Sequence, residues 1–180
     1  HEHRAVAFDV LQKVGNVVKL IEVKSKSYDS DAEEEYRSEG KRSTFQTGKG
    51  TLDGDWRPYL EDICYQTYVA TLAYPGFEFI PYLFLTDKAK KTTSDCVAAM
   101  FHIEERGNGA GGRREFEVVF TGDPSKLSGC QFMTLVNVED EVELLWDEVR
   151  SAAEEFDRSL TPKLVRIHTP IHRGCSSCEY

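Results

Sequence analysis

The stretch AVAFDVLQKVGNVVKLIEVKSKS, residues 5–27, decides the fold that this sequence predicts. Two runs rich in Val, Leu and Ile flank Gly15-Asn16. A two-residue loop that begins with Gly is typical of a β-hairpin turn. The pattern therefore predicts a hairpin with strands over about 4–13 and 17–25.

The hairpin register decides which charged side chains face one another. Counting outward from Val14 opposite Val17 places Asp9 directly opposite Glu22, with Cβ atoms about 4.5–5.5 Å apart. Lys24 lies two residues beyond Glu22, so its side chain emerges on the same face. Opposed like charges destabilise a sheet unless something compensates them. A bound cation between the two carboxylates would do so.

These residue types fit the hydrolysis of a phosphodiester. A metal polarises the phosphoryl oxygen and activates a water, carboxylates hold the metal, and a cation stabilises developing charge. Asp9 and Glu22 supply the carboxylates for Mg²⁺ or Mn²⁺, the Val23 carbonyl adds a further oxygen, and Lys24 supplies the catalytic cation. The alternative is the polar face of an exposed hairpin with a surface ion pair.

The size and composition of the chain restrict the functional classes. It has 180 residues, of which 40% are hydrophobic, enough for one domain with a packed core. No apolar run approaches the roughly 20 residues of a membrane span, and five Cys without a visible signal peptide indicate a cytoplasmic protein. The net charge of −9 argues mildly against a nucleic-acid partner.

The rest of the chain gives patterns of strands, helices and loops. They predict a long polar insertion, a helix after Pro58, a buried strand, a second hairpin and an amphipathic final helix, over about 27–50, 59–74, 77–86, 97–121 and 138–160 respectively. Cys64, inside the first of these helices, is expected to be a small buried apolar residue.

Three motifs together resemble a known family. "AFD…LIEVKS", then "YLEDICYQTYV", then "YLFLTDKAKKTT" is similar to the PD-(D/E)XK nuclease superfamily. More narrowly, it resembles the RecB-type branch, which includes the CRISPR-adaptation exonucleases and an uncharacterised bacterial family. The resemblance implies a restriction-endonuclease-like α/β fold, a mixed sheet flanked by helices. The nuclease core would cover 1–126, and a C-terminal helix with a Cys-x-x-Cys tail would cover 127–180.

The resemblance also implies roles for individual residues. Asp9 and Glu22 would be metal ligands, Lys24 the catalytic lysine, and Gln66 the glutamine of the branch's Gln-x-x-x-Tyr motif, which contacts substrate near the metal. Read alone, Gln66 is an ordinary helical glutamine. The sequence departs from the family where Phe8 replaces the proline before the aspartate and Ala70 replaces the motif's tyrosine. The branch often has an upstream metal-binding histidine on a helix; here His1 and His3 fall on the predicted first strand, so that ligand is either absent or lies outside this sequence.

The tail ends in a Cys pair, Cys175 and Cys178, a spacing that chelates metals. The resemblance implies a 4Fe-4S iron–sulfur cluster there, with further ligands outside this chain. His168 and His172 offer an alternative Zn²⁺ site of two His and two Cys. Free thiols are the third interpretation.

Several weaker candidates complete the set of substrate-binding residues. Lys88, Lys90 and Lys91 follow the apolar strand and are candidates to bind phosphates, although they also fit a solvated charged loop. Tyr68 lies near the position of the missing motif tyrosine. Glu61 and Asp62 lie in the first turn of the same helix. Their negative charges are expected to interact favourably with the helix dipole or to support the site indirectly.

The sequence therefore predicts a metal-dependent deoxyribonuclease that acts on DNA, as the nuclease domain of a DNA-processing or defence protein. The chain begins without Met and stops two residues after Cys178, so we expect further domains of the same polypeptide. The alternative prediction is a catalytically silent nucleic-acid-binding or interaction module that keeps the nuclease fold and a C-terminal metal site.

Overall fold

The computed structural model of this protein describes residues 4–40, 43–95, 97–108, 114–127 and 131–168. The strands, in chain order, are β1 (Val10–Val14), β2 (Val17–Tyr28), β3 (Glu78–Asp87), β4 (Phe101–Asn108), β5 (Arg114–Phe120) and β6 (Met133–Asn137). The α-helices are α1 (Ser30–Ser38), α2 (Arg57–Ala73), α3 (Pro124–Leu127) and α4 (Glu139–Leu160), and a single 3₁₀ turn spans Val97–Met100.

Four strands form one sheet in the order β1-β2-β3-β6. The strands β1 and β2 are antiparallel. The next pair is parallel, because the carbonyls of Asn16 and Tyr28 accept hydrogen bonds from the amides of Glu78 and Lys88, in the same order along both strands. The sheet is therefore mixed, and the predicted α/β class is confirmed.

The fourth strand of this sheet runs antiparallel to its neighbour. The Asp87 amide donates to the Phe132 carbonyl at one end, and the Val138 amide donates to the Pro81 carbonyl at the other. Sequence reasoning did not predict β6, whose five residues mix Val, Leu and Met with Thr and Asn. A run this short gives little periodicity to detect.

The hairpin of β1 and β2 has the predicted register. Val14 pairs with Val17, and Val10 pairs with Ile21. Gly15 has a φ of 63°, a left-handed conformation that glycine adopts without steric cost. This turn fixes the pairing of every residue in the hairpin.

The first strand is shorter than the sequence predicts, since it begins at Val10 rather than near residue 4. The segment before it is directed toward another element. Arg4 forms an ion pair with Asp157 of α4, and its guanidinium carbon lies 4.9 Å from the ring centre of Tyr68. These contacts compete with continued pairing of residues 4–9 in the sheet.

The α2 helix follows the sequence closely. Pro58 stands at its first turn, where a missing amide hydrogen costs nothing. The helix ends at Ala73, just before Pro75. Its buried residues include Leu60, Ile63 and Cys64, each with no exposed surface.

Contacts between Cα atoms divide the chain into two compact units. The first comprises 1–22, 45–83 and 137–180. Its core contains α2 and α4, which pack together, and its most deeply buried large side chains are Leu20, Phe45, Leu60, Ile63, Leu83, Val138 and Leu145. In this unit the Phe45 and Trp56 rings meet edge to face, with centroids 4.9 Å apart.

The second unit comprises 23–44 and 84–136. It contains the predicted second hairpin, in which β4 and β5 pair antiparallel with a bulge between Glu105 and Gly107. It also contains α1, which lies inside the 27–50 range interpreted from its composition as a polar insertion. The Asp29 side chain caps α1 by accepting from the Ala32 amide, which explains why so polar a segment is helical.

The described helices are either too short or too polar to cross a lipid bilayer.

Candidate functional site

Glu22 is a buried acid near the middle of β2. Its exposed fraction is 6%, and it lies on the same face of β2 as the buried Val18 and Leu20. An ionised carboxylate in such a place requires hydrogen-bond donors or a cation. The strand therefore presents one carboxylate to a largely apolar environment.

Gln66 supplies one of those donors from α2. Its Nε2 lies 2.9 Å from Glu22 Oε2 and donates a hydrogen bond to it. Gln66 is itself 5% exposed. The structure thus brings together two residues that are 44 positions apart and that the resemblance assigns to one site.

Asp62 is a second carboxylate on the same amide. Gln66 Nε2 also donates to Asp62 Oδ1, at 3.1 Å, one helical turn earlier on α2. From the sequence, Asp62 is expected to interact with the helix dipole or to support the site indirectly. The spacing of four residues between Asp62 and Gln66 is the signal that could have identified the contact.

This orientation of the Gln66 amide leaves its oxygen without a hydrogen bond among the described residues. With Nε2 facing two carboxylates, Gln66 Oε1 is buried and has no hydrogen-bond partner in the described part of the chain. A buried acceptor without a donor costs about 1–3 kcal/mol. The opposite orientation would put three acceptor oxygens together, so the observed one is electrostatically favoured.

Asp9 is the second predicted metal ligand. It occupies a bend one residue before β1 and is exposed. Val10 pairs with Ile21, so a ladder extended by one residue would place Asp9 across from Glu22, as predicted. The pairing of β1 with β2 ends at Val10 and Ile21, so Asp9 lies outside the ladder and its position opposite Glu22 stays a prediction.

Lys24 and Val23 follow Glu22 along β2. Lys24 is half-buried, and its position two residues on gives it the same strand face as Glu22. Val23 is 40% exposed, and its side chain points to the opposite face. That Lys24 and Glu22 act together stays a prediction from the spacing of the Glu-x-Lys motif.

The remaining substrate-binding candidates lie in different surroundings. Tyr68 is 6% exposed, and its ring meets Trp146 edge to face at 5.7 Å while Arg4 covers it. Its surface is thus largely occupied by protein. Lys88, Lys90 and Lys91 are exposed, and Lys90 Nζ donates to the Met133 carbonyl at 2.9 Å.

The tail cysteines Cys175 and Cys178, together with His172, lie outside the described residues. His168 is within them and is exposed. Over the ranges that the structure describes, no group of three or more His, Cys, Asp or Glu side chains is arranged to hold a metal ion.

No family model, no curated protein and no solved structure matches this chain.

Proposed function

We propose that this protein is a metal-dependent deoxyribonuclease that hydrolyses phosphodiester bonds with Mg²⁺ or Mn²⁺. Glu22 and Asp9 hold the ion, with the Val23 carbonyl as a further oxygen ligand. Lys24 stabilises charge on the scissile phosphate, and Gln66 positions the substrate. The observation that carries the proposal is the hydrogen bond of 2.9 Å from Gln66 Nε2 to Glu22 Oε2.

Three features of the chain support this proposal. Val10 pairs with Ile21, and Asp9 and Glu22 are the next residues outward from this pair along the chain. The acid at position 22 is buried among apolar residues, a setting in which a cation gains most from the carboxylate. The mixed sheet is compatible with the restriction-endonuclease-like fold that we propose for the core.

The proposal extends to the parts of the protein outside the described residues. Cys175 and Cys178 would hold a 4Fe-4S cluster, or Zn²⁺ with His168 and His172. The protein would act in the cytoplasm as one domain of a larger DNA-processing or defence polypeptide.

The decisive experiment measures cleavage of single- and double-stranded DNA with Mn²⁺. We expect Glu22→Gln and Glu22→Ala to lower the cleavage rate at least 100-fold, because the metal loses its buried carboxylate. Glu155→Ala, which removes an exposed glutamate on α4, serves as the matched control and should cleave at the wild-type rate. Unchanged cleavage by folded Glu22→Gln would refute the nuclease assignment.

A catalytically silent nucleic-acid-binding or interaction module is the second candidate. It is favoured by the exposed position of Asp9 in a bend outside β1, which leaves one proposed ligand less firmly held. Calorimetric titration with Mn²⁺ separates the two functions. If the protein is an active nuclease, the wild type should bind Mn²⁺ and Asp9→Asn should not. A silent module should bind DNA but should not cleave it in the presence of Mn²⁺.

A further inference from the structure

The hydrogen bonds of the Gln66 amide are unevenly divided between its two ends. Nε2 contacts Glu22 at 2.9 Å and Asp62 at 3.1 Å, while Oε1 is buried without a partner among the residues that the structure describes. The amide nitrogen thus occupies the position between two carboxylates that a cation would also favour.

The terminal amide of a glutamine has two orientations that differ by half a turn about χ3, and little else separates them sterically. In the observed orientation the donor faces the carboxylates. In the reversed orientation Gln66 Oε1 would face the carboxylates of Glu22 and Asp62. Three acceptor oxygens so close together repel one another, and a cation bound among them would remove that repulsion. A hard divalent ion prefers carboxylate and amide oxygens of this kind.

We infer that Asp62 and Gln66 belong to the cation site of Glu22, and that Gln66 reverses its amide to present Oε1 to the ion when it binds. This inference rests on the proposed function, because it requires a divalent ion at Glu22. It adds to the proposed ligands Glu22 and Asp9 a carboxylate from α2, and it gives Gln66 Oε1 a partner. Mg²⁺ or Mn²⁺ would contact these oxygens directly or through retained waters.

A role of Gln66 as a metal ligand and a purely structural role have opposite effects on Mn²⁺ affinity. If the amide only held the two carboxylates apart, it would compete with the ion, and Gln66→Leu would bind Mn²⁺ at least as tightly as the wild type. If Oε1 is a ligand, removing it weakens binding. The direction of the change therefore distinguishes the two roles.

The test is a calorimetric titration of the full chain with Mn²⁺ in the absence of DNA. We expect Asp62→Asn and Gln66→Leu each to weaken Mn²⁺ binding about tenfold or more. Glu61→Gln is the matched control, since Glu61 is the adjacent residue on α2 but pairs with Arg57; it should change affinity less than twofold. Circular dichroism would verify that each variant is folded.

A second readout follows the amide itself. The side-chain NH₂ resonances of Gln66, assigned by their absence in Gln66→Leu, should shift on titration with diamagnetic Mg²⁺. They should not shift in Glu22→Gln, which lacks the ion. Unshifted Gln66 resonances at saturating Mg²⁺ would overturn the reversal of the amide.

The outcomes separate this inference from the proposed function. If Glu22→Gln abolishes Mn²⁺ binding while Asp62→Asn and Gln66→Leu bind as the wild type does, the inference fails and the proposed cation at Glu22 stands. If the wild-type chain binds no Mn²⁺, or Glu22→Gln binds it unchanged, both fail. Weakened binding in all three variants, with the control intact, supports both.

Discussion

Cys64 on α2 donates a hydrogen bond from Sγ to the backbone carbonyl of Val142 on α4, at 3.7 Å. This hydrogen bond links α2, the helix that carries Gln66, to α4. Cys64 has no exposed surface, so the expectation of a small buried residue is confirmed. Burial raises the pKa of the Cys64 thiol to about 12, and the nearby Glu61 carboxylate adds to the increase.

The raised pKa predicts a loss of stability in alkali. The neutral thiol is favoured in the folded state, whereas a thiol exposed by unfolding ionises near its ordinary pKa of 9.0. The contribution of Cys64 is therefore present below pH 9 and is lost as the pH rises toward the folded pKa, by about 1.4 kcal/mol per pH unit. Urea unfolding of the wild type and Cys64→Ala at several alkaline pH values measures this. Parallel pH profiles for the two proteins would contradict it.

The contribution of Asp87, at the end of β3, to stability should have the opposite pH dependence. Burial alone would raise its pKa, but hydrogen bonds from Thr134, Ser30 and Ala89 outweigh burial and lower it. Its contribution to stability is present above the ordinary aspartate pKa of 3.8 and is lost as the pH falls through the lowered folded value. We expect Asp87→Ala to reduce the free energy of unfolding by about 2–4 kcal/mol near neutral pH, because the donors lose their acceptor.

The control for Asp87 is Asp87→Asn, which keeps one acceptor oxygen and removes the charge. It should destabilise less than Asp87→Ala, and its stability should fall less steeply than that of the wild type as the solution becomes strongly acidic. Equal stability of Asp87→Ala and the wild type in chemical denaturation would show that the donors find other acceptors.

Substitution of Gly15, in the turn that sets the hairpin register, should strain the backbone. Its φ of 63° is unfavourable for a β-branched residue, so Gly15→Val should lower the free energy of unfolding by about 1–2 kcal/mol. Gly15→Asn should cost less, because Asn tolerates this region. Gly48→Val is the control, since Gly48 is not among the positive-φ glycines and an added Cβ meets no atom within 4 Å. A Gly15→Val protein as stable as the control would exclude strain at the turn.

The parts of the fold that sequence reasoning predicted are those with strong local signals. The hairpin register follows from a glycine turn and alternating apolar residues. The long amphipathic α4 follows from its periodicity, and α2 follows from Pro58 and its apolar stripe. These features depend on residues that are close together in sequence.

The parts that it did not predict depend on pairing between distant residues or on single side-chain contacts, not on a periodic pattern. Neither β6 nor α1 has a marked pattern of its own; β6 pairs with β3, and α1 is stabilised by the Asp29 cap and by the bond of 2.7 Å from the Thr44 amide to Glu33. In the candidate site, the family resemblance implies that Glu22 and Gln66 act near one metal, whereas Asp62 is expected only to interact with the helix dipole or to support the site indirectly. Its relation to Glu22 exists only through the packing of α2 on the sheet.

Lys24 provides the most specific prediction about catalysis. In the proposed nuclease its ammonium group stabilises charge that develops on the phosphate, and it is not a metal ligand. Lys24→Met keeps the length of the side chain and removes the charge. We expect the rate of DNA cleavage with Mn²⁺ to fall about 10²–10³-fold, while calorimetric Mn²⁺ affinity stays within about twofold of the wild type.

The matched control for this prediction is Lys26→Met. Lys26 lies two residues further along β2, on the same strand face, and is half-buried like Lys24. Loss of a general positive potential would slow both variants equally, whereas a specific role at the phosphate slows only Lys24→Met. A Lys24→Met protein that cleaves as fast as Lys26→Met would remove Lys24 from the mechanism, even if Glu22 proved essential.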